Sequence, residues 1–206
     1  MGRYTGPKDR LSRREGVNLM LKGARSESGK LERRMVPPGM HNWRRGRTSD
    51  YGTRLREKQK VKRYYGVRDR QFMNYFRKAE RMKGNTGAAL LGLLERRLDN
   101  VIYKLGFAPS RSAARQTVVH GHIYINGRRL NIPSYLVQLG DKISVKPSDK
   151  SQALIRGRLE ELGEPHVQNW MTLDLVKLQA EIVAMPTRED VTLPVEEQLI
   201  VEFCSR

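Results

Sequence analysis

The chain has one cysteine, Cys204, and four histidines in 206 residues. A lone thiol cannot close an internal disulfide or build a multi-cysteine metal site, and Val201 and Phe203 beside it mark an ordinary packed position. No stretch approaches the roughly eighteen consecutive apolar residues that read as a membrane span. The first residues bring Arg3 but no apolar core of a signal peptide, so neither a spanning nor an exported chain is expected. Met1-Gly2 opens as a myristoylation signal does, but Gly6 stands where Ser or Thr is needed. Catalytic signatures are also scarce. Gly29-Lys30 is followed by Leu31, so there is no phosphate-binding P-loop; His120 and His122 lack a third ligand for zinc; no Ser, His and carboxylate grouping stands out. Acidic residues are few: 22 Asp and Glu against 40 Lys and Arg leave a net charge of +18. Such a surplus repels itself unless a polyanion neutralises it, which points to RNA, DNA or an anionic membrane.

What is present is unevenly placed. Residues 1–100 hold 27 basic and 10 acidic side chains, 101–150 hold 8 and 2, and 151–206 hold 5 and 10. A polyanion is expected along the first two parts, with the acidic last part facing elsewhere or packing on basic helices as a counterweight. A hydrophobic content of 38% can fill the modest cores of one or two small domains.

The stretch Leu94–Lys146 carries the densest pattern. Leu90, Leu91, Leu94, Leu98, Val101, Ile102 and Leu105 fall at helical spacing, which predicts one long helix from Gly87 to Leu105, closed by Gly106. Ser110 is placed to cap a second helix, Arg111 to His120, with Ala113, Ala114, Thr117 and Val118 inward and Arg111, Arg115 and Gln116 outward. The amides free at its N-terminus, beside Arg111 and Arg115, could seat a phosphate; a solvated helix face is the plainer reading of the two arginines alone. Ile123 and Ile125 then alternate with His122, Tyr124 and Asn126, and Asn126-Gly127 is a strong hairpin signal. Gly140-Asp141 makes a second turn before Ile143 and Val145.

Before this stretch, residues 1 to about 45 are rich in Gly, Arg and Ser, with little apolar periodicity beyond Val17, Leu19, Met20 and Leu21. Alone, the arm is expected to be poorly ordered. Ser49 or Asp50 caps a helix through Tyr65 crowded with Arg54, Arg56, Lys58, Lys60, Lys62 and Arg63. For its tyrosines, Tyr51, Tyr64 and Tyr65, core packing and base stacking are equally open. The next helix, Arg68 to Lys83, is expected to bury Phe72, Tyr75, Phe76, Ala79 and Met82 on one stripe. After Val145 come a helix from Gln152 to Leu162 capped by Ser151, Trp170 in a strand-like run, and breaks at Pro186 and Pro194. Val195, Leu199, Ile200 and Phe203 at helical spacing predict a last helix that docks on the first helical domain.

Taken together, RLDN, LGFAPSRSAARQ, HGHIYINGRR and LGDKISV resemble the S-four RNA-binding domain over about fifty residues. The flanking MGRYTGPKDRLSRREG, SDYGTRLREKQKVKRYYG and QLIVEFCSR resemble the bacterial-type small-subunit ribosomal protein S-four family over essentially the whole chain. That resemblance implies an α+β fold: a basic helical domain with an inserted small α/β S-four RNA-binding domain and an extended N-terminal arm. The expected division is 1–45 arm, 46–93 helical rRNA-binding domain, 94–150 S-four domain, and 151–206 a C-terminal segment returning to the helical domain. It implies a non-enzymatic structural constituent of the small ribosomal subunit, cytoplasmic or organellar, that binds rRNA, nucleates assembly of its 5′ domain and contributes to translational accuracy. Small-subunit rRNA and neighbouring small-subunit ribosomal proteins are the expected partners, with mRNA at the entry channel through Arg44, Arg45 and Arg47; no membrane and no cofactor is expected.

RNA contacts are expected at Arg3, Arg13 and Arg14 in the arm, at those three further arginines, and at the six cations of the first long helix. Arg68, Arg70, Ser110, Arg111, Arg115, Gln116, His120, His122, Asn126 and Arg128 complete the expected set. Some relatives carry a four-cysteine zinc knuckle in the arm; here the region offers Asp9, Ser12 and Ser26 and no cysteine, so no metal is expected. Two alternatives differ in class. One is a stand-alone ribosome-associated RNA-binding factor. The other is an S-four-domain RNA-modifying enzyme, because Arg97-Leu98-Asp99 is similar to the nucleophile motif of pseudouridine synthases; against it, Asn100, Val101 and Ile102 continue an amphipathic helix and no large mixed-sheet domain could house a flipped base.

Overall fold

The structure is a computed structural model that describes residues 4–23, 26, 31, 36–40, 49–163, 165 and 167–205. In chain order the elements are helices α1 (Lys8–Glu15), α2 (Asp50–Tyr64), α3 (Asp69–Glu80), α4 (Thr86–Glu95), α5 (Leu98–Lys104) and α6 (Arg111–Val119). Strands β1 (Ile123–Ile125), β2 (Arg128–Arg129) and β3 (Lys142–Val145) follow, then α7 (Asp149–Leu162), β4 (Met171–Asp174), β5 (Gln179–Ile182) and α8 (Glu197–Cys204). The chain divides into two units, one of residues 1–91 with 192–206 and the other of residues 92–191. The mixed α+β character and the S-four unit are as the sequence implies. The division differs from the expected segment 151–206: its first part joins the second unit because β4 and β5 extend that unit's sheet, and only residues 192–206 return to the first.

In the first unit, Ser49 starts α2 by accepting a hydrogen bond from the Gly52 amide at 3.2 Å. α2 lies against α1 and α8. Its inward residues Val61, Tyr64 and Tyr65 join Phe72, Tyr75, Phe76 and Ala79 of α3, Leu90 and Leu91 of α4, and Ile200 of α8 among the buried apolar residues. Tyr64 and Tyr65 meet edge to face at 4.9 Å, so packing claims both. Met82 was expected on the apolar stripe but is 43% exposed, because α3 ends at Glu80 before the stripe reaches it.

Among the described residues of the arm, polar groups join α1 to the loop after it. Ser12 Oγ accepts from the Leu19 amide at 3.3 Å, Ser26 Oγ accepts from the Lys22 amide at 3.0 Å, and Asp9 pairs with Lys22 at 2.5 Å. Three side chains at the would-be metal knuckle thus stitch α1 to the loop after it. Leu19 is wholly buried.

In the second unit a five-stranded antiparallel sheet runs in the order β2-β1-β3-β5-β4. Ile123 opposite Val145, Ile143 opposite Ala180, and Met171 opposite Ile182 set the register and turn one apolar face inward. That face packs with Leu98, Val101 and Ile102 of α5, Ala114 and Val118 of α6, Ile155 of α7 and Trp170 in one core. Asn126 and Gly127 both take positive φ, 50° and 76°, as the β1–β2 turn requires. α7 begins at Asp149 after Ser148, so Ser151 does not cap it; Ser151 is buried and its hydroxyl lies 3.0 Å from His122 Nδ1.

The helix expected from Gly87 to Leu105 is two helices. Arg97 turns extended (φ −64°, ψ 133°) and bridges Leu136. The Leu98 and Asp99 amides donate to the Tyr135 and Pro133 carbonyls at 2.8 and 3.1 Å, and Arg96 O accepts from the Val137 amide at 2.9 Å. Loop 133–137 therefore takes the backbone groups that a continuous helix would have used.

Candidate nucleic-acid interface

The most basic helix places most of its charge inside the fold. Along α2, Arg54 pairs with Glu202 of α8 at 2.9 Å, Arg56 and Arg63 both reach Glu15 of α1, and Lys58 and Lys62 approach Asp69 of α3 at 3.2 and 3.6 Å. Lys60 pairs with Glu57 within the helix. All six predicted RNA-binding cations of α2 thus have carboxylate partners. Lys58 is the clearest correction: it is buried, with its ammonium 5.2 Å from the Phe203 ring centroid. Burial pushes the Glu15 carboxyl above its ordinary range against the pull of Arg63 and Arg56. At Asp69, desolvation raises the pKa, but hydrogen bonding and charge from Lys58 and Lys62 outweigh it and hold the carboxyl below its usual range.

Exposed cations lie on the neighbouring helix. Arg70, Arg77, Lys78 and, just past the end, Arg81 share the side of α3 opposite Phe72, Phe76 and Ala79, at spacings of three, four and seven. They form no ion pair among the described residues, and Arg68 precedes them exposed. Of this row the sequence reading selected Arg68 and Arg70 and missed Arg77, Lys78 and Arg81; their position opposite the apolar stripe was the available signal. In α1, Arg14 is exposed and Arg13 donates from Nε to Val36 O at 2.9 Å. Arg3, Arg44, Arg45 and Arg47 lie outside the described residues.

In the second unit the expected α6 face is rearranged. Ser110 caps α6, accepting from the Ala113 amide at 3.3 Å, and is itself buried. Arg111 was expected outward. Instead it is buried, with Nε donating to Asn100 Oδ1 at 2.8 Å and the guanidinium 4.5 Å from the Tyr103 ring centroid. Arg115 is partly exposed and lies 3.5 Å from Asp99. Gln116, His120 and Arg128 are exposed. His122 is half-buried; desolvation first, then His120, Arg158 and Lys146, hold its pKa below the ordinary value, so at neutral pH it offers hydrogen bonds rather than charge. Asn126 is occupied by its turn, donating to Asp141 Oδ1 and accepting from the Lys142 amide, each at 2.9 Å. Arg129 on β2 and Lys142 and Lys146 at the two ends of β3 are also exposed. The Arg129 guanidinium lies across Gly121, where any side chain would overlap it, so β2 closes on the α6–β1 turn.

The arginine-leucine-aspartate motif is part of the core. Arg97 Nε and Nη2 donate to the two Asp99 carboxylate oxygens at 3.0 and 2.5 Å, and both residues are buried. Next to them Asn100 Nδ2 donates to Glu95 Oε2 at 2.6 Å, and Lys104 pairs with the same oxygen at 2.6 Å. Asp99 holds Arg97 and Arg115 and is closed off from a substrate base. This network fixes α5 against α6, the two helices packed most closely in the unit.

The sequence is similar to known proteins along its whole length. Residues 3–95 match the family model described as ribosomal protein S4/S9 N-terminal domain, and residues 96–143 match the S4 domain. The small ribosomal subunit protein uS4 of Thermus thermophilus is 54% identical over 209 residues, and that of Halothermothrix orenii is 53% identical over 208 residues, with all of both chains covered in each case. With two exposed basic surfaces, an S-four unit inserted in a helical one, and full-length identity above half, the chain belongs to the small-subunit ribosomal protein uS4 family.

Proposed function

We propose that this protein is a structural, non-enzymatic, rRNA-binding constituent of the small ribosomal subunit. The full-length identity to proteins of that name carries the reading. The exposed cations of α3 and of the β2 edge supply its physics: they neutralise phosphates at a folded RNA junction and release condensed counterions. The internally paired cations of α2 hold the helices that present those rows. Association should therefore weaken steeply with salt.

The finer reading follows the resemblance. The protein nucleates assembly of the 5′ domain, adjoins other small-subunit proteins, bears on decoding accuracy, and offers Arg44, Arg45 and Arg47 to mRNA at the entry channel. Its place is the ribosome of the cytoplasm or of an organelle. The deciding experiment is a filter-binding competition between small-subunit rRNA and random RNA of equal length across a salt series. A marked preference for the rRNA, with a steep salt slope, is the expected result; equal affinity overturns the reading. Stoichiometric co-sedimentation with small subunits at high salt separates a resident protein from a transient visitor.

A further inference from the structure

A cavity of about 440 Å³ opens on the first unit between α2, α3 and α8. Its walls include Tyr51, Arg54 and Lys58 of α2, Asp69 and Met73 of α3, and Phe203 of α8. We propose that this cavity holds one unstacked nucleotide of the bound RNA, guanosine before the other bases, an inference that rests on the rRNA-binding reading above.

Four observations converge on that ligand. Tyr51 is 62% exposed, whereas Tyr64 and Tyr65, the other tyrosines of this helix region, are buried. Its ring meets Phe203 at 5.3 Å and a tilt of 49°, which buttresses the ring while leaving aromatic surface open for a base to stack on. Arg54, paired through Nε with Glu202, and Lys58, paired with Asp69, line the same wall, so N–H groups left over from those pairs, rather than a net positive charge, face a nucleotide's phosphate. Asp69 supplies the acceptor: its side chain is 57% exposed, and the Lys58 and Lys62 ammonium groups do not exhaust the roughly four lone-pair positions of a carboxylate. Guanine is the base whose Watson–Crick edge presents two adjacent N–H donors, which a carboxylate accepts side by side; adenine, cytosine and uracil each present one such group there. The volume also falls within the roughly 300–1,000 Å³ of small-ligand pockets.

Cys204 lines the same cavity and is the chain's single cysteine, so every alkylation event reports from this site. Burial raises the thiol pKa, which makes that reaction slow enough to time. The test follows iodoacetamide alkylation of the full chain in millimolar 5′-GMP, 5′-UMP or inorganic phosphate at low salt. GMP should slow alkylation several-fold, with UMP and phosphate close to buffer alone. Tyr51→Phe should keep the protection; Tyr51→Ala, at an exposed position that leaves the core intact, should weaken GMP binding about tenfold, and Asp69→Asn should erase the preference for GMP over UMP. Equal protection by phosphate and GMP would reduce the cavity to an anion site, and no protection at all would remove it; either result overturns the proposal. The wild-type rRNA competition in the same buffer separates the two readings. Retained rRNA preference without GMP protection sinks this inference alone, and loss of both sinks the functional reading with it.

Discussion

α2 and α3 are adjacent, with six and three cations respectively, and opposite in how their charge is used. On α2, Arg54, Arg56, Lys58, Lys60, Lys62 and Arg63 all meet carboxylates: Glu15 of α1, Asp69 of α3, Glu202 of α8 and Glu57 of α2 itself. On α3, Arg70, Arg77 and Lys78 stand in solvent, with no ion pair among the described residues. Charge density along a chain therefore does not measure charge available to a partner. Acidic residues distant in sequence decide it: Glu15 and Glu202 lie on elements at opposite ends of the chain, yet both terminate on α2. The two units contrast in the same way. Residues 1–91 with 192–206 hold 26 basic and 11 acidic side chains, whereas residues 92–191 hold 14 and 11 and bury part of that charge around Arg97.

The largest expected effect comes from cutting the chain after Pro194, which removes α8 from α2. Ile200 is buried, Leu199 and Phe203 are half-buried, and Glu202 is the partner of Arg54. At about 1.5–3 kcal/mol for each fully buried apolar side chain, the first unit should lose several kcal/mol, and a thermal melt should show it separating from the second. An unchanged melting profile would mean that α8 contributes little to the packing. Asp99→Ala comes next. It leaves the wholly buried Arg97 without its bidentate partner, and chemical denaturation should report a loss of about 3–5 kcal/mol.

A third comparison tests the contrast between α2 and α3 directly. Replacing Arg77 and Arg81 by Gln should lower the log–log salt slope of RNA binding by about one each with little change in stability. Replacing Arg56 and Arg63 by Gln should do the reverse, lowering stability by stranding Glu15 while changing the slope less. Matching slopes in the two double variants would erase the distinction.

The smallest effect is on pH. The Asp69 pKa is lower folded than unfolded, so its contribution is present above the ordinary carboxylate value and is lost as pH falls through the folded one. The His122 pKa is lowered too, so its contribution is complete above the ordinary imidazole value and disappears as pH falls through the lower folded value. NMR titration of the His122 ring should give a midpoint below about 6.5; a midpoint above it would mean that the ring is charged by a neighbour the geometry does not provide.

Local signals were legible where local chemistry decides. Ser49 and Ser110 cap as their side chains predict, Asn126-Gly127 turns as its φ preference predicts, and Ile123, Ile125, Ile143 and Val145 face inward as alternation predicts. The misses share a non-local cause. Nothing near Arg97 announces a break, because Pro133 and Tyr135 take the next two amides from across the fold. Arg111 reads as an outward residue until Asn100 and Tyr103 of another helix draw it in. α1 has almost no apolar stripe to detect, since Ser12 and the Glu15 side chain occupy its buried side. The site was legible as a surplus of cations, but its division into paired and exposed groups was not, because the partners of α2 come from α1, α3 and α8.

The first unit is discontinuous: it is built from residues 1–91 and residues 192–206. During vectorial synthesis the intervening unit emerges intact once β4 and β5 have left the exit tunnel, and it can fold while still tethered to the nascent chain. The helices made earlier must wait for α8, so each chain spends part of its birth with Arg54 and Tyr51 lacking their α8 neighbours. Over that interval the order of release, rather than the order of synthesis, governs which half is finished first.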